Sequence, residues 1–234
     1  MSESEDYDKS STMYSPEGRI IQVEYASEAV KKGTPALGLK TANGVILAGV
    51  VKLHSKLLES HEKVFKIDDH IGATSAGYMS DSRYLIDRAR TLAQSYRVTY
   101  NETIDVNVLT QRIGRLMQRY TQEGGTRPFG CALIFGGVNE NGTPEIVILD
   151  TSGAITKTKA AAVGANDSKV IDLLKAAYKD DMSIDEMMKL AVNTLRGVSE
   201  ELNPEDIEVG IIDSKTRNFR LASLEEKKKI WRKK

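Results

Sequence analysis

PALGLKTANGVILAGVV, Pro35 to Val51, reads as two strand-like runs, PALGLKT and GVILAGVV, joined by Ala42-Asn43-Gly44. An Asn-Gly between apolar runs is a strong hairpin signal, because the favoured two-residue turn needs φ > 0 at both central residues. Beyond this hairpin, KVFKID and HIGATSAG form a second pair of short strands around Asp68-Asp69. Two helices follow. Leu85, Ala89, Leu92 and Tyr96 fall at helical spacing in one, and Val106, Leu109, Ile113, Leu116 and Tyr120 in the other. Strands return in GCALIFGGV, a turn at Asn139–Gly142, PEIVILD, a turn at Ser152-Gly153, and AITKTKAAAVG, which reads as one strand. Val170, Leu174 and Ala177 line a third helix; Ile184, Met187, Ala191, Leu195 and Val198 line a fourth. The methionines read as core filler. DIEVGIIDS and NFRLAS make a last strand pair before a basic tail helix.

Antiparallel strand blocks with helices arriving in pairs predict two stacked sheets with a helix pair on each outer face. The fold class is α+β, a four-layer α-β-β-α sandwich. No Pro/Gly/Ser-rich linker divides it, so residues 34–234 read as one sandwich domain behind an extension formed by residues 1–33. In that extension Ser15-Pro16-Glu17-Gly18 is turn chemistry, with Pro presetting φ and Gly permitting φ > 0. Ile20, Val23, Ser27 and Val30 then share one helical stripe, with Ile21 and Tyr25 beside it. Lys31 and Lys32 suit a helix C-terminus, and Gly33 is the C′ residue. The stripe lies outside the core and needs a surface to cover it.

The 234 residues carry 33 basic and 33 acidic side chains, so no global field argues for nucleic acid or a membrane surface. The ends are uneven, with an acidic MSESEDYD leader and a basic LEEKKKIWRKK tail, and both read as solvated termini. Cys131 is the one cysteine, which excludes an internal disulfide, and with no secretory signal the chain reads as cytoplasmic. In that compartment the sequons at Asn101 and Asn141 are accidental. No apolar run reaches membrane-spanning length. His54, His61 and His70 lack metal-ligand spacing, and neither a metal nor a cofactor is expected.

The leader YD, then SPEGRIIQVEYASEAVKKG, then RPFG before a central strand, resemble the α subunits of the proteasome. GVILA, EKVFKIDDHIG, TYNE, YTQEGGTRPFG and YKDDMSIDE extend the likeness over nearly the whole chain, and the short length without an acidic tail is closer to archaeal members. The resemblance implies the amino-terminal-nucleophile hydrolase sandwich and a heptameric ring of identical or homologous α subunits. That ring would cap a chamber of β subunits that cut peptide bonds, and an ATPase activator would dock on it through its C-terminal tails. The extension would then be the gate, with its helix across the outer end of the sandwich and its leader over the axial pore.

Active members of this fold use an N-terminal Thr whose α-amine is the base, with an acid and a lysine nearby. Thr34 is the nearest equivalent here, and a processed threonine hydrolase is the alternative reading. A patterned helix precedes Thr34, Pro35 follows it, and Val50 stands about where the acid belongs, so catalysis by this chain is not expected. A valine in place of an acid also implies packing where relatives keep an ion pair. A third reading is a standalone sandwich that scaffolds a partner.

By resemblance, Tyr7, Asp8, Lys9, Pro16 and Tyr25 form the gate cluster, with Lys9 where the family's Tyr-Asp-Arg motif has arginine. Lysine keeps the charge but loses planar, bidentate pairing. Lys32, Gly33, Lys63 and Gly77 match the pocket between neighbouring α subunits that receives an activator's C-terminus. A lysine neutralises a terminal carboxylate, and glycines let a backbone approach closely. Arg127-Pro128-Phe129-Gly130 reads as a structural turn and Cys131 as core.

Overall fold

The computed structural model describes residues 12–51, 62–199 and 202–232. Helix α1, Ile21–Lys31, precedes the first hairpin, β1 (Ala36–Thr41) and β2 (Gly44–Val50), in which Thr41 faces Gly44. The turn residues are therefore Ala42 and Asn43, neither at the positive φ expected of an Asn-Gly turn. Then come β3 (Val64–Asp68), β4 (Ile71–Gly77), α2 (Met79–Tyr100), α3 (Val106–Gln122), β5 (Cys131–Val138) and β6 (Pro144–Leu149). They are followed by β7 (Ile155–Thr158), β8 (Ala160–Val163), α4 (Asp167–Ala177), α5 (Ile184–Val198), β9 (Ile207–Asp213), β10 (Phe219–Leu221) and α6 (Leu224–Arg232).

The strands make two five-stranded antiparallel sheets, ordered β10-β9-β2-β1-β8 and β3-β4-β5-β6-β7. Strand β2 shows why the layers stack. Its Val45 and Leu47 pack between the sheets with Ile134, Ile146 and Ile212. Its Ile46, Ala48 and Val50 point the other way, against Met187, Ala191 and Leu195 of α5. Alternate residues serve two cores, so the strand is apolar along its length. On the far side, Leu85, Ile86 and Ala89 of α2 and Leu109, Ile113 and Met117 of α3 cover Phe135 and Val147 of the second sheet. This is the expected four-layer sandwich.

Three further sequence expectations are corrected. AITKTKAAAVG is two strands: β7 pairs with β6 in one sheet, and after Lys159 β8 pairs with β1 in the other. The residue sizes explain the switch, since the exposed Ile155–Lys157 gives way to alanines small enough to tuck between the sheets at Ala161. The basic tail is not wholly solvated either. Ile230 and Trp231 of α6 pack on the α5 layer, the Arg196 guanidinium lies 4.5 Å from the Trp231 ring centre, and the buried Lys227 Nζ donates to the Ile207 carbonyl at 2.8 Å. Finally, the chain itself covers part of the α1 stripe, burying Val30 and leaving Ile20, Val23 and Ser27 half-buried. Ala26 and Val30 are buried against β4 and β5, and the Ser27 and Thr151 hydroxyls meet at 2.8 Å.

Candidate functional site

The end of α1 meets the sandwich at a junction of bare backbone. Gly33 follows the C-cap Lys32, and its N–H donates to the Val30 carbonyl at 2.9 Å. It does not need a left-handed φ. A Cβ there would stand 2.5 Å from the Gly77 nitrogen, so glycine is required by the closeness of β4. Gly77 carries both constraints: φ is +110°, and a Cβ would fall 2.1 Å from the Gly130 carbonyl oxygen, which accepts from Tyr78 N at 2.8 Å. Exposed Lys32 stands at the rim of this junction.

Lys63 reaches the same place from the start of β3. The residue is only 3% exposed, and its Nζ donates to the Thr34 carbonyl at 2.9 Å. Four strands and the Thr34 segment hold it. Glu208 of β9 accepts from the Lys63 and Val64 N–H groups at 2.7 and 2.9 Å, and Thr74 of β4 donates its hydroxyl to the Lys63 carbonyl at 2.8 Å. The aliphatic stem fills the space over Gly49 of β2, where a Cβ would come within 2.6 Å of Lys63 Cγ. Burial pushes the ammonium down to about 8 from its ordinary 10.5, with the Glu208 charge opposing that shift. Among the described residues, Thr34 O is the acceptor this ammonium meets, although an ammonium carries three donors. Lys63, Gly33 and Gly77 are thus brought together, with Thr34 between them.

Beside the junction, Arg127 is fully paired. Its guanidinium forks onto Asp81 at 2.6 and 2.8 Å, and Gly130 N donates to the same carboxylate at 2.8 Å. Burial alone would raise the Asp81 carboxyl; Arg127 and the Gly130 N–H outweigh it and hold it below the usual range. Phe129 stacks on Tyr84 and leans on Tyr120. This turn is structural, as its sequence suggested. Cys131 after it is buried core, its thiol pushed up to about 12 by desolvation.

Residues 30–212 match the family described as proteasome subunit, and residues 7–29 match the N-terminal signature of its A-type subunits. The chain belongs to the proteasome subunit family. It is 46% identical over 222 residues to the alpha subunit of the proteasome from Thermococcus sibiricus, covering 94% of this chain and 85% of that protein. It is 44% identical over 226 residues to that of Methanocaldococcus jannaschii, with 96% and 86% covered. With the corresponding protein of Methanopyrus kandleri it shares 47% over 225 residues, covering 95% and 89%. As a proteasome α-type subunit it assembles with other proteasome subunits, which displaces the standalone-scaffold reading.

The geometry of this α-type subunit matches a non-catalytic role. Thr34 nitrogen is an amide in a chain whose preceding helix is docked on the sandwich, so no α-amine is there to act as base. Val50 is buried in the core, its N–H on the Pro35 carbonyl at 2.9 Å, and supplies packing where an acid would be needed. Lys63 bonds the Thr34 carbonyl and not a free Thr34 amine.

Of the gate residues, Pro16 and Tyr25 are described. Pro16 is exposed in a turn closed by Gly18 N donating to Ser15 O at 2.8 Å, with Gly18 at φ +77°. Arg19 then forks onto Glu24, fixing the entry to α1. Tyr25 lies on the solvent side of that helix, beside a cavity of about 370 Å³ shared with Tyr78 and Arg127. Tyr7, Asp8 and Lys9, like His54 and His61, lie outside the described residues. His70 is buried, with Nε2 2.8 Å from the Ile104 carbonyl oxygen. Among the described residues no group of three or more His, Cys, Asp or Glu could hold a metal ion, and no helix is long and apolar enough to cross a membrane. Sequence reasoning missed Glu208, Gly49 and Thr74 around Lys63. The signal for Glu208 was a lone acid inside the apolar run IEVGII.

Proposed function

We propose that this α-type subunit forms heptameric rings that cap proteasome β rings in the cytoplasm. Residues 1–33 act as the gate unit and the sandwich from residue 34 onward builds the ring. Tyr7, Asp8, Lys9, Pro16 and Tyr25 set the gate, and Lys32, Gly33, Lys63 and Gly77 receive the C-terminal carboxylate of an ATPase activator.

The observation that carries this reading is the Lys63 ammonium. A buried cation that meets one carbonyl among the described residues is costly unless something else answers its charge. It lies under half-exposed Gly33 and Thr34, where two glycines leave the backbone bare. A terminal carboxylate has the charge and the two acceptor oxygens that such a site lacks. Docking around a symmetric ring then multiplies, since each seated tail raises the effective concentration of the next. The test is peptide hydrolysis by a reconstituted α/β particle, with and without the ATPase or a peptide copying its tail. Lys63→Ala is expected to abolish stimulation and leave basal entry unchanged. Deleting residues 2–10 is expected to raise basal entry without activator. A normal response from Lys63→Ala removes the pocket assignment, and unchanged basal entry after the deletion removes the gate.

A further inference from the structure

We propose that Glu208 is the positioning residue of the Lys63 pocket, its carboxylate pinning the backbone at the start of β3 while its charge balances the buried ammonium. Among the described residues, strand β3 is an edge of the second sheet, so no described strand receives its outward N–H groups. Glu208 projects from β9 in the other sheet, and one of its oxygens, Oε2, accepts both the Lys63 and Val64 N–H groups. The side chain therefore stitches the two sheets together at the residue that matters. Directly across the β2–β9 pairing, Glu208 stands opposite Gly49, whose missing Cβ leaves the slot for the lysine stem. One member of this cross-strand pair holds the lysine backbone and the other seats its side chain.

Glu208 touches the Lys63 backbone and acts on the ammonium through its field. Burial lowers the Lys63 ammonium and Glu208 is the named charge that opposes it. Among the described residues packed on Lys63, Thr34, Gly49 and Thr74 are uncharged. Glu62 precedes it and is exposed, and the buried Lys227, a second cation in the field of Glu208, is tied to the Ile207 carbonyl. Among the described residues, removing the Glu208 charge takes away the acid that opposes desolvation at Lys63.

The assignment stands on this geometry; its consequence for docking rests on the function proposed above. Glu208→Gln keeps an acceptor oxygen and the side-chain length while losing the charge, and Glu208→Ala loses both. Lysine ¹³Cε NMR on the full chain, with the Lys63 resonance identified by Lys63→Arg, is expected to show the Lys63 midpoint falling by about half a pH unit or more in Glu208→Gln. That is roughly a threefold change in the ammonium-to-amine ratio at fixed pH. A Lys63 midpoint that does not move in this isosteric variant overturns the proposal. Tail-peptide binding to assembled rings, followed against pH, is expected to lose its alkaline limb at lower pH by the same shift. A lowered Lys63 midpoint with unaltered tail binding upholds Glu208 as the positioning residue and overturns the docking reading instead.

Discussion

Two cations stand at the same end of this sandwich, and the chain treats them in opposite ways. Arg127 has a side chain 62% exposed, yet it receives a bidentate carboxylate that also takes the Gly130 N–H. Lys63 is almost wholly buried and, among the described residues, meets one backbone carbonyl. If charge satisfaction served stability alone, the acid would stand beside the buried cation. The pairing at Arg127 fixes a turn and is complete within the chain. The ammonium at Lys63 is held by one carbonyl among the described residues, which is what the proposed docking of an anion calls for.

The largest effect should come from breaking the complete pair. Asp81→Ala leaves the buried Gly130 N–H without its acceptor, while the exposed Arg127 rehydrates, so a loss of about 2–3 kcal/mol is expected in chemical denaturation at pH 7. The folded carboxyl lies below its ordinary 3.8. Its contribution is therefore present above that value and lost as pH falls through the folded pKa. The variant should lack this acid-side loss, and equal acid sensitivity would show that Arg127–Asp81 is an idle surface contact.

The incomplete site should behave in the reverse sense and with a smaller net change. Lys63 titrates near 8 in the fold against 10.5 ordinarily, so charging it costs roughly 3 kcal/mol at neutral pH. Lys63→Met removes that penalty and loses the bond to Thr34 O, for a net gain of about 1 kcal/mol at pH 7. The unfolded chain binds the extra proton between pH 8 and 10.5, so the natural chain gains stability through that window while the variant does not. The variant's advantage should shrink and vanish by about pH 10.5. A variant less stable at pH 7 than at pH 10, relative to the natural chain, would contradict the cost assigned to the buried ammonium.

Much of this was legible because both sandwich cores impose short-range patterns. The continuous apolar run at Gly44–Val50, the hairpin and the helical spacings of α2 to α5 are local and survive in the fold, although the hairpin turns on Ala42-Asn43 with Gly44 already paired in β2. What was not legible depends on distant partners. The step from Ile155–Lys157 to small alanines permits the change of sheet at Lys159, but which sheet receives β8 is set by the edge that β1 leaves open. The tail lysines look solvated until Lys227 finds the Ile207 carbonyl. In the pocket, the sequence likeness named Lys63, Gly33 and Gly77, but their support by Glu208, Gly49 and Thr74 spans up to 145 residues of separation and has no spacing to betray it. Gly33 shows the same limit: it reads as a helix stop, whereas its lack of a side chain answers to the backbone of Gly77.

The most direct test of the central proposal, that Lys63 receives a chain-terminal carboxylate, is a double-mutant cycle by calorimetry on assembled rings. The tail peptide is titrated as its free acid and as its C-terminal amide, against rings of the natural chain and of Lys63→Ala. A charge-assisted contact predicts that amidation weakens binding to natural rings by roughly 1.5–3 kcal/mol and has almost no effect on Lys63→Ala rings. If amidation weakens binding to both rings equally, the carboxylate is met elsewhere and the account of Lys63 is wrong.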